Sequence, residues 1–314
     1  MNKPHRLLAI IATATTCLAG SLSASETITP IDLRCEYLVN PLGIDVTRPR
    51  LGWKLESSVR AQRQTSYRIL VSSTRQNLDK HIGDLWDSGV VGTEQSTHIS
   101  YDGASLTSGM RAFWKVTVQD KDNKSSGWSK PAMWSMGLFK PSDWKDARWI
   151  GLEEGLLDKA KGARGIDIPD SEDKRTRLPA RYLRRDFKVE KEITRATAYV
   201  SGLCFFDLHI NGQRVGDHIM DPGLTSFDKR AFYVTFDAGD YLKKGNNCLG
   251  VVLGNGRYFA PREQNRYATV KNPNAGRVSF PKLKMLLRVE YDDGSSRDII
   301  SNNAWKVTAQ GPTR

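Results

Sequence analysis

Cys204-Phe205-Phe206-Asp207-Leu208-His209-Ile210-Asn211-Gly212-Gln213-Arg214-Val215-Gly216 carries a strand pattern and a turn signal side by side. Phe206, Leu208 and Ile210 alternate with Asp207 and His209. A period of two puts one row of side chains on each face of a pleated strand. Asn211-Gly212 follows at once, and both residues tolerate the positive φ that a two-residue hairpin turn requires. The spacing predicts a strand over Cys204–Ile210, a tight reversal and a returning strand. The same pattern extends outward. Tyr182–Val189, Thr194–Val200, Ala231–Phe236, Asn247–Leu253, Pro281–Tyr291 and Ile299–Val307 read as strands, and Asp292-Asp293-Gly294 reads as another tight hairpin. Arg148–Gly151 reads as one further short strand. The expectation is an antiparallel, jelly-roll-like sandwich.

Upstream, Tyr67–Ser72 and Phe113–Val118 alternate in the same way, and Asp120–Asn123 supplies the turn after the second of them. Val90, Thr97–Ile99 and Met133–Met136 add shorter strands. This spacing suits a seven-strand sandwich of about 100 residues. One helical turn is expected over Thr74–Lys80, with Ser73 as its cap. Trp53, Trp86, Trp114, Trp128 and Trp134 would suit a sugar-stacking platform or a core. Trp114 and its neighbours lie within strand patterns, so the core is the predicted place. The fold class is all-β, with two antiparallel β-sandwiches, the first Ig/fibronectin III-like and the second jelly-roll-like.

A chain of 314 residues suits two domains. With 26% charged and 39% hydrophobic residues it is neither a disordered tail nor a membrane-embedded protein. No apolar run beyond the N-terminus approaches the ~18 residues of a spanning helix. At the N-terminus Lys3, His5 and Arg6 precede the apolar stretch Leu7–Ala19. Ser23 and Ser25 stand at −3 and −1 of a cut before Glu26, which reads as a signal peptide. The divisions are therefore residues 1–25 as leader, 26–138 as the first sandwich and 139–314 as the second, with a charged loop over 153–181. Forty-seven Lys and Arg against 35 Asp and Glu give +12. Without interleaved aromatic and basic residues this charge predicts a solvated basic surface and no nucleic-acid partner. Cys17, Cys35, Cys204 and Cys248 lack metal-ligand spacing. Cys204 and Cys248 are open to a bridge or to free thiols, with free thiols expected. Gly254-Asn255-Gly256 is not a dinucleotide loop, because Phe259 replaces the third glycine and no helix pattern follows.

Several short motifs, in order, resemble the N-terminal region of bacterial α-L-rhamnosidases. They are Arg34-Cys35-Glu36-Tyr37 through Asn40-Pro41-Leu42-Gly43-Ile44-Asp45, Arg50-Leu51-Gly52-Trp53, Leu85-Trp86-Asp87-Ser88-Gly89 and Gly127-Trp128-Ser129 in the first domain. In the second they are Ser201-Gly202-Leu203, Asn211-Gly212, Val215-Gly216-Asp217, Asp221-Pro222-Gly223, Asp228-Lys229-Arg230 and Leu253-Gly254-Asn255-Gly256. The resemblance implies a fibronectin-type or Ig-like sandwich followed by a sandwich related to rhamnose-binding modules. It implies carbohydrate contact at Asn255, Arg257 and Tyr258. The family usually carries Trp where this chain has Leu224 and Arg257, so two aromatic platforms are forfeited. Ca²⁺ enters by resemblance alone, since the sequence shows no carboxylate cluster that demands it, and no other cofactor is expected.

The family inverts the configuration at terminal α-L-rhamnosyl bonds, which takes two carboxyl groups about 6.5–9.5 Å apart. In the family these stand in an (α/α) barrel after the region seen here. This chain shows no such helical series, and no Asp or Glu of it is assigned a catalytic role. The expected function is the N-terminal, non-catalytic part of an α-L-rhamnosidase, inactive alone, with the second sandwich incomplete at its C-terminal end. The alternative is a free-standing secreted carbohydrate-binding or surface-interaction protein. The expected partner is a rhamnose-containing glycan or pectic polysaccharide, weakly held. Export to the periplasm or beyond is expected, with no membrane association once the leader is cut.

Overall fold

The computed structural model describes residues 28–153, 179–227, 229–256, 258 and 280–311. The leader, most of the charged stretch 153–181, and Arg257 lie outside the described residues. The first half contains β1 (Thr29–Cys35), β2 (Arg50–Glu56), β3 (Gln64–Ser72), α1 (Arg75–Asp79), β4 (Trp86–Asp87), β5 (Ile99–Ser100), β6 (Arg111–Asp120), β7 (Ser125–Trp128) and β8 (Ala132–Ser135). One sheet has the order β1-β2-β5 and the other β4-β3-β6-β7, with β8 also pairing β6. The two runs that alternate most clearly in sequence are the paired central strands, Tyr67 opposite Val118 and Ser72 opposite Phe113. Val90 joins no strand; its neighbour Val91 makes a single bridge to Tyr67.

Trp114 and Trp134 are fully buried and Trp53 nearly so, among Leu51, Ile69, Val71 and Val116. The Trp53 indole N–H donates to Gln64 Oε1 at 3.0 Å, which satisfies the one polar atom this ring brings inside. Trp86 and Trp128 are half-buried at the rim. The helix is capped one residue later than the sequence suggested. Thr74 Oγ1 accepts the Asn77 N–H at 3.1 Å, while Ser73 donates its backbone N–H to Asp84 at 3.1 Å. A capping oxygen reaches the third helical N–H only from the residue directly before the helix, so α1 beginning at Arg75 fixes Thr74 in that place.

The second half contains β9 (Arg181–Val189), β10 (Ile193–Gly202), β11 (Phe206–Ile210), β12 (Gln213–Arg214), β13 (Val234–Asp237), β14 (Gly245–Leu253), β15 (Leu283–Tyr291), β16 (Ser296–Ile300) and β17 (Lys306–Thr308). Its sheets run β13-β10-β15-β16 and β12-β11-β14-β9-β17, all neighbours antiparallel. The 204–216 stretch folds as its pattern dictates, with β11 starting at Phe206. Phe206, Leu208 and Ile210 enter the core, Asp207 is exposed, and Asn211 and Gly212 turn the chain with φ of 53° and 83°. Between the sheets lie alternate residues of β10, β14 and β15, among them Ala198, Val200, Leu249, Val251, Met285, Leu287 and Val289.

Two expectations need correction. Ile299–Val307 is not one strand, because β16 pairs β15 in one sheet and β17 pairs β9 in the other. The break falls at Asn302, whose Oδ1 accepts the Ala304 N–H at 3.0 Å, a local bond that competes with strand continuation. Arg148–Gly151 supplies a single bridge, Ile150 to Leu283, rather than a strand. Cys35 and Cys204 are buried free thiols and Cys248 a half-buried one. Burial pushes the Cys35 thiol up to about 12 and raises Cys204 as well, so both stay protonated and inert at neutral pH.

The halves meet through a third, smaller core. Leu138, Tyr199 and Leu286 are buried together, with Trp144, Tyr233 and Ile300 packed on them. The Leu138 N–H donates to the Tyr233 hydroxyl at 2.8 Å, and Arg195 donates to Gly109 O at 2.9 Å. Arg111 pairs with Asp237 across the same junction at 3.3 Å. A Cβ at Gly137 would overlap the Tyr233 hydroxyl, so glycine is what permits this approach. Burial raises the Tyr199 and Tyr233 phenols above the ordinary tyrosine range.

Candidate functional site

Asn255 and Tyr258, both singled out from sequence, follow β14 at the end of the second sandwich where β11 begins. The Gly254 N–H donates to Phe205 O at 2.8 Å, which ties the Gly254-Asn255-Gly256 loop to the segment leading into β11. The Phe206 N–H donates to Asp221 O at 2.9 Å, and the loop carrying Asp221 is drawn in beside it. His218 Nδ1 and Asp221 Oδ2 stand 2.8 Å apart, and Ser201 Oγ donates to Phe232 O at 2.7 Å. The loops after β12 and β14 therefore share one end of the sandwich.

On that end Tyr258 is half-buried and meets Phe227 edge to face, ring centres 5.3 Å apart at 78°. Asn255 is half-buried beside it in sequence, and Arg257 lies outside the described residues. Tyr258 thus has an aromatic neighbour. Leu224 projects into solvent with 56% of its surface exposed, near Ile219 at 79% and Met220 at 63% along the same loop. An aliphatic side chain there offers apolar area but no flat ring for a sugar face.

Clefts open elsewhere. One of about 380 Å³ lies at the domain junction between Arg111, Arg195, Asp237 and Lys244. Two of its carboxylates are engaged, Glu192 with Lys244 at 2.7 Å and Asp237 with Arg111. A second, of about 310 Å³, lies on the β1-β2-β5 sheet beside Tyr37, whose ring lies under Arg50 at 5.0 Å. A third, of about 330 Å³, opens where residues 149–151 dock against the start of β15, lined by Trp149, Lys282, Asn303 and Trp305. In sequence Trp149 lies inside Arg148–Gly151, a run whose pattern indicates only a short strand. The signal available was a Trp between Arg148 and Gly151 in a run too short to supply a core row.

Among the described residues, His, Cys, Asp and Glu side chains nowhere gather in threes able to hold a metal ion. Among the described residues the carboxyl groups displaced from their ordinary range move downward, among them Asp32 held by Lys54, Glu36 by Arg50, Asp87 by Arg68, Asp143 by Ser108, Asp186 by Arg184 and Asp293 by Lys191. A general acid needs the opposite displacement.

Residues 30–140 match the model of the Rha78A-like, N-terminal immunoglobulin domain, and residues 191–314 match that of the alpha-L-rhamnosidase N-terminal domain. The chain is 34% identical over 282 residues to an alpha-L-rhamnosidase of Formosa agariphila, a match covering 87% of this chain and 29% of the relative. It is 32% identical over 298 residues to an alpha-L-rhamnosidase of Alteromonas sp. (strain LOR), covering 94% and 30%. Among solved structures, the alpha-L-rhamnosidase from Dictyoglumus thermophilum superposes with a TM-score of 0.74 at 35% identity, over 89% of this chain and 29% of that one. The Streptomyces avermitilis alpha-L-rhamnosidase complexed with L-rhamnose superposes with a TM-score of 0.72 over 90% of this chain and 41% of that one; at 22% identity it speaks for the fold alone. The chain spans about three-tenths of the length of the Formosa and Alteromonas relatives.

Proposed function

We propose, from the premise that this chain carries the two N-terminal domains of the α-L-rhamnosidase family, that it serves as the non-catalytic leading part of a glycoside hydrolase acting on terminal α-L-rhamnosyl bonds. The observation that carries this reading is the order of the two domain matches, with relatives above 30% identity extending well beyond the region matched. The chemistry agrees. Inversion needs one carboxyl that keeps its proton and one that activates water, set about 6.5–9.5 Å apart across the sugar. The carboxyls displaced here are held ionised by bases and hydroxyls, which suits them to bracing a surface. The partner is a rhamnose-containing glycan, held by these domains weakly and with a strong share from the +12 charge, which salt screens over about 8–10 Å.

The test is hydrolysis of 4-nitrophenyl α-L-rhamnopyranoside by the purified 314-residue chain. The expected result is no turnover above the uncatalysed rate. Turnover that persists in a preparation free of host glycosidases would overturn the reading. Export is part of the same proposal, supported by Lys3 and Arg6, the Leu7–Ala19 run and the small residues before Glu26. N-terminal sequencing of exported protein should begin at Glu26, and a mature chain retaining Lys3 would refute it.

A further inference from the structure

The cleft beside Trp149 is built from parts of the chain far apart in sequence. Ile150 bridges to Leu283, which lays Trp149 across the start of β15, and the crossing from β16 to β17 brings Asn303 and Trp305 to the opposite wall. Trp305 is 9% exposed and spends its indole N–H on Ile300 O at 2.9 Å, so its ring is fixed as floor. Trp149 is 38% exposed. Among the described residues neither its indole N–H nor the Asn303 amide makes a hydrogen bond. Lys282 and Glu153 pair at 2.7 Å at the rim, so the cleft carries polar groups without a net charge of its own.

A flat apolar face, unspent amide and indole groups around it and a neutral rim form the complement of a pyranose ring. Such a ring shows C–H bonds on its face and hydroxyls that both donate and accept at its edge. An anion gains little here, because Glu153 offsets Lys282. A purely apolar partner would strand the Asn303 amide out of water, at a cost. The volume is that of a small ligand site. We infer that this cleft binds one neutral pyranose unit of a glycan, with Trp149 as the stacking face and Asn303 as the hydroxyl contact. The choice of a rhamnoside as first probe rests on the function proposed above.

The test titrates the full chain with methyl α-L-rhamnopyranoside and, separately, methyl α-D-galactopyranoside, read by tryptophan fluorescence and by saturation-transfer NMR. Saturable binding of at least one, with a Kd on the order of millimolar, is expected. Trp149→Ala should weaken it about tenfold or more and Trp149→Phe less, with Tm unchanged in both. Tyr258→Ala should leave it intact. No saturation by either sugar up to about 100 mM, or undiminished binding in folded Trp149→Ala, would overturn the site. Trp149→Ala binding lost only together with Tm is resolved by Asn303→Ala, an exposed change that should weaken binding while the fold stands. Absent binding with absent hydrolysis sinks the cleft and leaves the non-catalytic reading in place; binding with hydrolysis does the reverse.

Discussion

The first sandwich fills its centre with rings and the second with branched aliphatics. Trp53 and Tyr67 meet edge to face at 5.3 Å, and Tyr101 meets Trp86 at 5.5 Å and Trp134 at 5.8 Å. In the second, Leu, Val, Ile, Ala and Met from three long strands interlock, and Phe206 with Phe236 at 6.4 Å is a peripheral aromatic pair. In the first domain two long central strands, β3 and β6, are flanked by the two-residue strands β4 and β5, and large side chains supply much of the buried area. Nine-residue strands such as β14 and β15 supply the second with long, even rows. A core of few large pieces concentrates its stability; a core of many small ones spreads it.

That contrast breaks most readily at Trp114. Trp114→Ala should cost about 3–5 kcal/mol and lower the first domain's calorimetric transition, leaving the second domain's nearly in place. A uniform fall of both would mean the two cores do not melt separately. Val251→Ala removes a smaller piece and should cost about 2 kcal/mol, felt in the second domain. Equal losses from the two variants would erase the contrast. Tyr233→Phe tests the joint between them. It leaves the buried Leu138 N–H without its acceptor, at about 1.5 kcal/mol, and should pull the two transitions apart. The same joint sets an alkaline limit. Burial raises the Tyr199 and Tyr233 phenols in the folded state, so their contribution is whole below the unfolded value of about 10 and is lost as pH rises through the folded one. Tyr199→Phe should flatten the loss of stability above about pH 10, and an unchanged pH profile would exclude the joint as the weak point. The smallest effect is expected at Gly212→Ala, about 1 kcal/mol for a side chain at positive φ, read as a shift of the second transition alone.

Most strands were legible because alternation is local: Phe206, Leu208 and Ile210 declare their face without reference to any other residue. The cap at Thr74 was missed by one position, since Ser73 and Thr74 are chemically alike and only the helix start distinguishes them. Ile299–Val307 was read as one strand because the apolar rhythm resumes after Asn302 and Asn303, and nothing local says that the chain has changed sheets. Asn255 and Tyr258 could be placed on a loop at a strand end, but the ring that Tyr258 meets, Phe227, is distant in sequence and no pattern announces the contact. Trp149 and Asn303 were invisible for the same reason at longer range. What unites them is a chain crossing, which periodicity does not encode.

The sheet β13-β10-β15-β16 is covered on both sides: Ala198, Val200 and Leu287 turn to its own core, and Tyr199 and Leu286 turn to the first domain. Among the described residues both faces of this sheet are largely engaged. In evolutionary terms the two halves are then poor currency for domain shuffling. A recombination near residue 140 that swapped the first half would strand Tyr199 and Leu286 in water, unless the newcomer already brought an apolar residue where Leu138 stands and a glycine at position 137. The pair is expected to travel between genes as a single heritable unit, with its breakpoints outside both sandwiches rather than between them.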